Sequence, residues 1–108
     1  MAALGVPCVV RRPGMAGYGR RNRPGDDSHT YLSVRVTTGA VVPDNRHWCF
    51  RAQNRAAVDA FHAAGIAAGG YDDGLPGLQP DYHAAYYAAF LVDPDGNRVE
   101  AVCHQAPE

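Results

Sequence analysis

Tyr86 to His104 reads YYAAFLVDPDGNRVEAVCH, two alternating runs joined by Asp93-Pro94-Asp95-Gly96, and its register governs how the second half of the chain folds. Pro at the second position of a type I turn, followed by Gly as a left-handed bulge residue, closes a three-residue hairpin loop. Such a turn pairs Asp93 with Asn97, and so Phe90 with Glu100, Ala88 with Val102 and Tyr86 with His104. Because side chains alternate along a strand, Tyr86, Phe90, Arg98, Glu100 and His104 share one face. Tyr87, Ala89, Leu91, Val99, Ala101 and Cys103 take the other, which is largely apolar and belongs to a core. A slip of one residue would bury Glu100 among them, so the register is strongly specified. An EF-hand calcium loop needs more ligands and a helix on each side than Asp93, Asp95, Gly96 and Asn97 provide, which leaves a simple hairpin.

Working outward, the period of two in HWCFRA puts His47, Cys49 and Arg51 on one strand face and Trp48, Phe50 and Ala52 on the other. Gln53 or Asn54 can cap the helix that follows. Ala57 or Val58, Phe61, Ala64 or Gly65, and Ala68 recur at helical spacing, and Gly69 or Gly70 ends the run. The narrow face of this helix is expected to lie on the sheet against Trp48 and Phe50, with Phe61 buried. The sheet's other face would then hold His47 and Glu100 together. YDDGLPGLQPDYHA, broken by Gly74, Pro76, Gly77 and Pro80, reads as a loop long enough to be a lid or pocket wall.

The first part of the chain is less regular. VPCVV at Val6 to Val10 is a short strand, confined by Pro7 to an edge or a strand start. RRPGMAGYGRRNRPGDDS is a loop or a pair of ragged strands around MAGYG, and its five Arg from Arg11 to Arg23 form either a solvated loop or an anion site. HTYLSVRVT, His29 to Thr37, alternates as a strand whose core face is Thr30, Leu32, Val34 and Val36. GAVVPDNR is a connection in which Pro43, Asp44 and Asn45 form the turn.

Composition excludes several classes. At 108 residues and 46% hydrophobic content the chain fits one domain with a modest core, and the strands and helix read above make it α+β. A net charge of -1 argues against a nucleic-acid or membrane-surface partner. The charge is unevenly spread: residues 1 to 53 carry eight Arg against three acids, and residues 54 to 108 carry two Arg against eight, which weakly favours self-association. Cys8, Cys49 and Cys103 show no metal-type spacing and read as reduced, cytoplasmic thiols. No signal peptide or apolar membrane span is recognisable. All basic residues are Arg, as in GC-rich bacterial coding sequences.

His47 at the head of its strand, the helix segment AAVDAFHAAGIAAGG and the hairpin AFLVDPDGNRVEAV together resemble the vicinal oxygen chelate superfamily. That superfamily contains glyoxalases, extradiol dioxygenases and bleomycin-resistance proteins. GYDDGLPGLQPDYHAAYYAAF also looks like the pocket loop of small glyoxalase-like bacterial proteins. The resemblance implies βαβββ modules whose curved sheets form a cup around a divalent metal. Residues 47 to 104 match a complete second module. Residues 5 to 37 look like the last three strands of a first module, and the opening strand and helix that would bring another metal ligand are expected to be missing. Position 33 or 35, where some members carry a carboxylate, is Ser33 or Arg35.

The implied metal residues are His47 and Glu100, with Glu100 also the catalytic carboxylate. Neither His83 nor His104 is an assured third ligand. Tyr82, His83, Tyr86, Phe90 and Arg51 are the expected substrate pocket, where stacking and anion contacts suit a small molecule. If an ion binds (Zn, Ni, Fe or Mn), the implied chemistry is Lewis-acid activation of a small oxygenated substrate by a lyase, isomerase or dioxygenase. The alternatives are a metal-free binding protein of the resistance type, or an inactive truncated member. Cys49 reads more readily as an inert buried thiol than as a reactive one. A homodimer is expected, the second copy covering the sheet edge that the missing strand leaves open.

Overall fold

The computed structural model of this chain describes residues 1–26, 29–36 and 47–107. The connection expected around Pro43, Asp44 and Asn45 lies outside them, as does Thr37. Contacts divide the chain into two compact units, Met1–Ala40 and Val41–Glu108.

In the first unit a 3-10 turn at Ala2–Leu4 precedes an antiparallel meander of β1 (Cys8–Arg12), β2 (Met15–Gly19) and β3 (Tyr31–Arg35). The MAGYG strand is as expected. The first strand starts later than the apolar run VPCVV and runs through Arg11 and Arg12. Exposed strand positions need no apolar side chain, and pairing with β2 sets the limits instead. Among the described residues this unit has no α-helix, and Val34 and Val36 stand 56% and 79% exposed rather than in a core. Arg11, Arg12, Arg20, Arg21 and Arg23 are all exposed, with the Arg21 guanidinium 4.0 Å over the Tyr31 ring.

The second unit is a four-stranded sheet carrying one helix. Its strands are β4 (His47–Arg51), β5 (Tyr71–Leu78), β6 (Tyr87–Val92) and β7 (Arg98–Cys103), in the order β4-β7-β6-β5. β4 runs parallel to β7 and the other pairs are antiparallel. The hairpin has the register read from the turn, Phe90 opposite Glu100 and Ala88 opposite Val102. Asp93 N–H donates to Asn97 O at 2.9 Å, and Gly96, at φ 89°, takes the left-handed position that a side chain would resist. The Asp93 carboxylate accepts from the Asp95 and Asn97 backbones and from the Asn97 amide, which locks the turn.

α1 (Arg55–Ala67) is capped by Asn54, whose Oδ1 accepts the Ala57 N–H at 2.8 Å, and closes at Gly69 with φ 102°. It carries the chain from one sheet edge to the other and so lies over β5, β6 and β7. This corrects the expected packing. Trp48 and Phe50 do face the helix side, in register with Val99 and Ala101, but α1 packs chiefly on β5, β6 and β7, and Trp48 stays 50% exposed. Phe61 is only half-buried. The helix residue at the core is Val58, fully buried, with Ala89, Leu91, Ala101 and Cys103 on the sheet below. Close approach occurs at Gly65, where a Cβ would lie 2.2 Å from Leu91 Cδ1.

The stretch expected as a loop after the helix is instead mostly strand. Tyr71–Leu78 pairs with β6 through two register shifts, around Gly74 and between Gly74 and Gly77. As an edge strand β5 tolerates Pro76, whose missing N–H needs no neighbour there, and the bulges absorb the broken periodicity. Among the described residues no helix is long and apolar enough to cross a membrane.

Candidate functional site

The site is built on the sheet face away from α1. Glu100 sits in β7, flanked by β4 and β6, and its side chain is buried, the residue being 3% exposed. The hairpin register thus gives Glu100 its expected face, but not the solvent that a polar face suggested. His47 covers it from β4, with Nε2 2.8 Å from Glu100 Oε1. Tyr86, just before β6, donates its hydroxyl to Glu100 Oε2. Both carboxylate oxygens are therefore engaged, as a buried carboxylate requires.

Cys49, the register partner of Glu100, completes the cluster, its thiol close enough to Tyr86 and Glu100 for each to influence it. Although the residue as a whole is exposed, desolvation of the sulfur is the largest influence on it. That desolvation and the Glu100 charge push the thiol pKa up, outweighing the Tyr86 hydrogen bond that lowers it. Burial, then the hydrogen bond to Glu100 and its charge, push the Tyr86 phenol well above its ordinary value. At neutral pH both groups keep their protons, and the Tyr86 hydroxyl acts as a donor toward the carboxylate.

Aromatic rings border this centre. Phe90 stands 6.2 Å from the His47 ring, and Tyr82 lies 4.8 Å from Tyr86. His83 and His104 each meet Tyr86 at 5.3 Å between ring centroids. Tyr82 and His83 are exposed, whereas Tyr86 and Phe90 are half-buried. The structure so brings His47, Glu100, Tyr86, Phe90, Tyr82 and His83 into one array. It does not draw in Arg51, which stands exposed at the far end of β4 opposite Val102. Sequence reading missed the part played by His104, although the predicted pairing of Tyr86 with His104 was the signal for it. Cys49, read as inert, is placed beside the carboxylate by the parallel register of β4 with β7.

His47 and Glu100 are metal-type donors that converge, but a divalent ion takes about three protein donors and keeps open positions for substrate. No group of three His, Cys, Asp or Glu suited to a metal forms among the described residues. The described residues of one chain supply two donors and do not fit a complete site.

No protein-family profile and no curated protein matches the chain. Solved structures do. A glyoxalase/bleomycin resistance protein from Albidiferax ferrireducens is 28% identical, with a TM-score of 0.73, over 96% of this chain and 80% of its own. A glyoxalase-related enzyme from Fulvimarina pelagi is 19% identical, with a TM-score of 0.64, over 94% of this chain and 72% of its own. A glyoxalase/bleomycin resistance protein/dioxygenase family enzyme from Burkholderia phytofirmans is 20% identical, with a TM-score of 0.59, over 95% of this chain and 83% of its own. The latter two likenesses concern the fold alone.

Proposed function

This chain belongs to the vicinal oxygen chelate superfamily, and on that footing we propose that it binds a small oxygenated molecule against the Glu100 face, with Glu100 as the proton-exchanging group. The observation that carries the reading is the buried Glu100 carboxylate, held at Oε1 by His47 and at Oε2 by Tyr86 beneath a border of aromatic rings. A carboxylate fixed in this way needs no reorganisation to meet a ligand proton, and preorganisation of that kind is what acid–base catalysis uses. Glu100 takes a proton from a ligand hydroxyl, or from carbon beside a carbonyl, while Tyr86 remains as a donor. Lyase or isomerase chemistry fits such a transfer. Fold alone does not choose between them, and simple sequestration by the same face is the non-catalytic form of this reading.

Thermal-shift measurements with small hydroxy-carbonyl and catechol compounds, in the presence of a chelator, test it. Stabilisation of the natural protein that is lost in Glu100→Gln supports the reading. Equal stabilisation of both, or none across the series, overturns it.

A second reading is favoured by the 2.8 Å convergence of His47 Nε2 and Glu100 Oε1, two donors on neighbouring strands. In it the pair holds a divalent ion (Zn, Ni, Fe or Mn), with the remaining donor supplied from elsewhere. Elemental analysis of untagged protein checks this, with occupancy expected to fall in His47→Ala and Glu100→Gln. We also propose a homodimer. Among the described residues β4 is a sheet edge with Trp48 half exposed on it, a surface that natural proteins rarely leave open. A mass by light scattering that stays monomeric at every concentration contradicts this. Three free cysteines fit the reducing cytoplasm as the place of action.

A further inference from the structure

Behind Tyr86 lies a pair of histidines whose hydrogen bonds run in one direction. The Ala85 N–H donates to His83 Nδ1 at 3.1 Å, so that nitrogen is bare and the proton of the neutral ring sits on Nε2. His83 Nε2 lies 3.1 Å from His104 Nδ1, so His83 donates and His104 accepts, keeping its own proton on Nε2. Both imidazole lone pairs are then occupied. A metal on His83 Nε2 would force the proton onto Nδ1, against the Ala85 N–H, so the pair is unsuited to clip an ion. A further proton on either ring breaks one of the two hydrogen bonds. The arrangement belongs to the doubly neutral state.

We propose that His83 and His104 are positioning residues for Tyr86. Locked to each other, they hold the edges of their rings and that of Tyr86 in place, so that the phenol hydroxyl stays on Glu100 Oε2. Among the described residues Tyr86 meets both rings, with Tyr82 packed on Tyr86 before β6 and Glu100 of β7 beyond it. The functional meaning of this rests on Glu100 being the anchor of the site, but the arrangement itself is tested without any ligand.

The test is nuclear magnetic resonance on the isotope-labelled full chain. At about pH 8, well above the ordinary imidazole value, long-range proton–nitrogen correlations report the ring tautomers. Both rings are expected to carry hydrogen on Nε2, and the Tyr86 hydroxyl proton is expected to be protected from exchange. His104→Asn sets an amide oxygen close to where Nδ1 stood and is expected to keep that protection. His104→Leu removes the acceptor and is expected to lose it at least tenfold. A His83 proton on Nδ1, a Leu variant that keeps the protection, or an Asn variant that loses it equally overturns the proposal. Should the Leu variant not fold, the tautomers of the natural protein and the protection kept by His104→Asn decide it. A merely structural pair would lower the unfolding midpoint in both variants and leave the Tyr86 signal of the folded fraction unchanged.

Discussion

His47 and Glu100 meet although they are not register partners: in the parallel β4–β7 pair His47 stands opposite Arg98 and Cys49 opposite Glu100, yet Nε2 and Oε1 are 2.8 Å apart. The Glu100 side chain spans this diagonal, which leaves its second oxygen for Tyr86. One buried carboxylate thus ties β4, β7 and the start of β6 together.

Truncating that tie separates size from hydrogen bonding. Glu100→Gln keeps the volume and an acceptor for Tyr86, and is expected to stay within about 1 kcal/mol of the natural protein. Glu100→Ala strands a half-buried hydroxyl and opens a cavity, and is expected to cost about 2 to 4 kcal/mol. Urea denaturation of both variants checks this, and equal losses would show that the donors find other partners.

Tyr86→Phe leaves Glu100 Oε2 without its donor, at an expected cost of about 1 to 3 kcal/mol near neutral pH. The phenol also gives an alkaline signature. Its folded pKa is raised above the unfolded 10.0, so its stabilisation is complete below that value and is lost as pH rises beyond it, when the unfolded chain releases the proton first. The difference in unfolding free energy between the natural protein and Tyr86→Phe is expected to shrink above pH 10.0, a trend that paired denaturation curves would reveal.

An acid counterpart lies on the helix side. Asp72 accepts from His62 at 2.9 Å and from the Gly74 N–H at 3.0 Å, and these two bonds, in that order, hold its carboxyl below the usual 3.8. A depressed carboxyl stabilises above its unfolded value and loses that contribution as pH falls through the folded one. Asp72→Asn is expected to be less stable than the natural protein at neutral pH and to converge with it below pH 3.8. Parallel acid titrations that keep a constant gap would contradict the assignment.

The helix docks through Val58 more than through Phe61. Val58→Ala, at a fully buried position, is expected to cost about 1 to 3 kcal/mol. Phe61→Ala, at a half-buried one, is expected to fall short of the roughly 3 to 5 kcal/mol of a core phenylalanine. Gly65→Ala gains about 1 kcal/mol of helix propensity but drives a Cβ into the buried Leu91, which costs about 1 to 3 kcal/mol, so a net loss is expected. Thermal unfolding ranks the three.

The hairpin register was legible from Asp93 to Gly96 alone, because a three-residue loop of this chemistry fixes which residues face each other. From it followed the face of Glu100, its company with Phe90 and Tyr86, and, with the alternation of HWCFRA, the presence of His47 on the same side. A cap at Gln53 or Asn54 and a close at Gly69 or Gly70 were legible for the same reason, since each is a local bond or backbone angle, and the structure selects Asn54 and Gly69. What sequence could not give was how far the helix reaches across the sheet. Trp48 looked like core because its face was correct, but α1 lies over β5, β6 and β7, and coverage depends on where a rigid rod crosses a sheet. β5 was hidden because its bulges erase the period of two. The burial of Glu100, the engagement of both its oxygens and the one-way chain from Ala85 through His83 to His104 arise from side chains far apart in sequence. Local pattern sets which way a residue points, and only the packing of distant elements sets what it meets there.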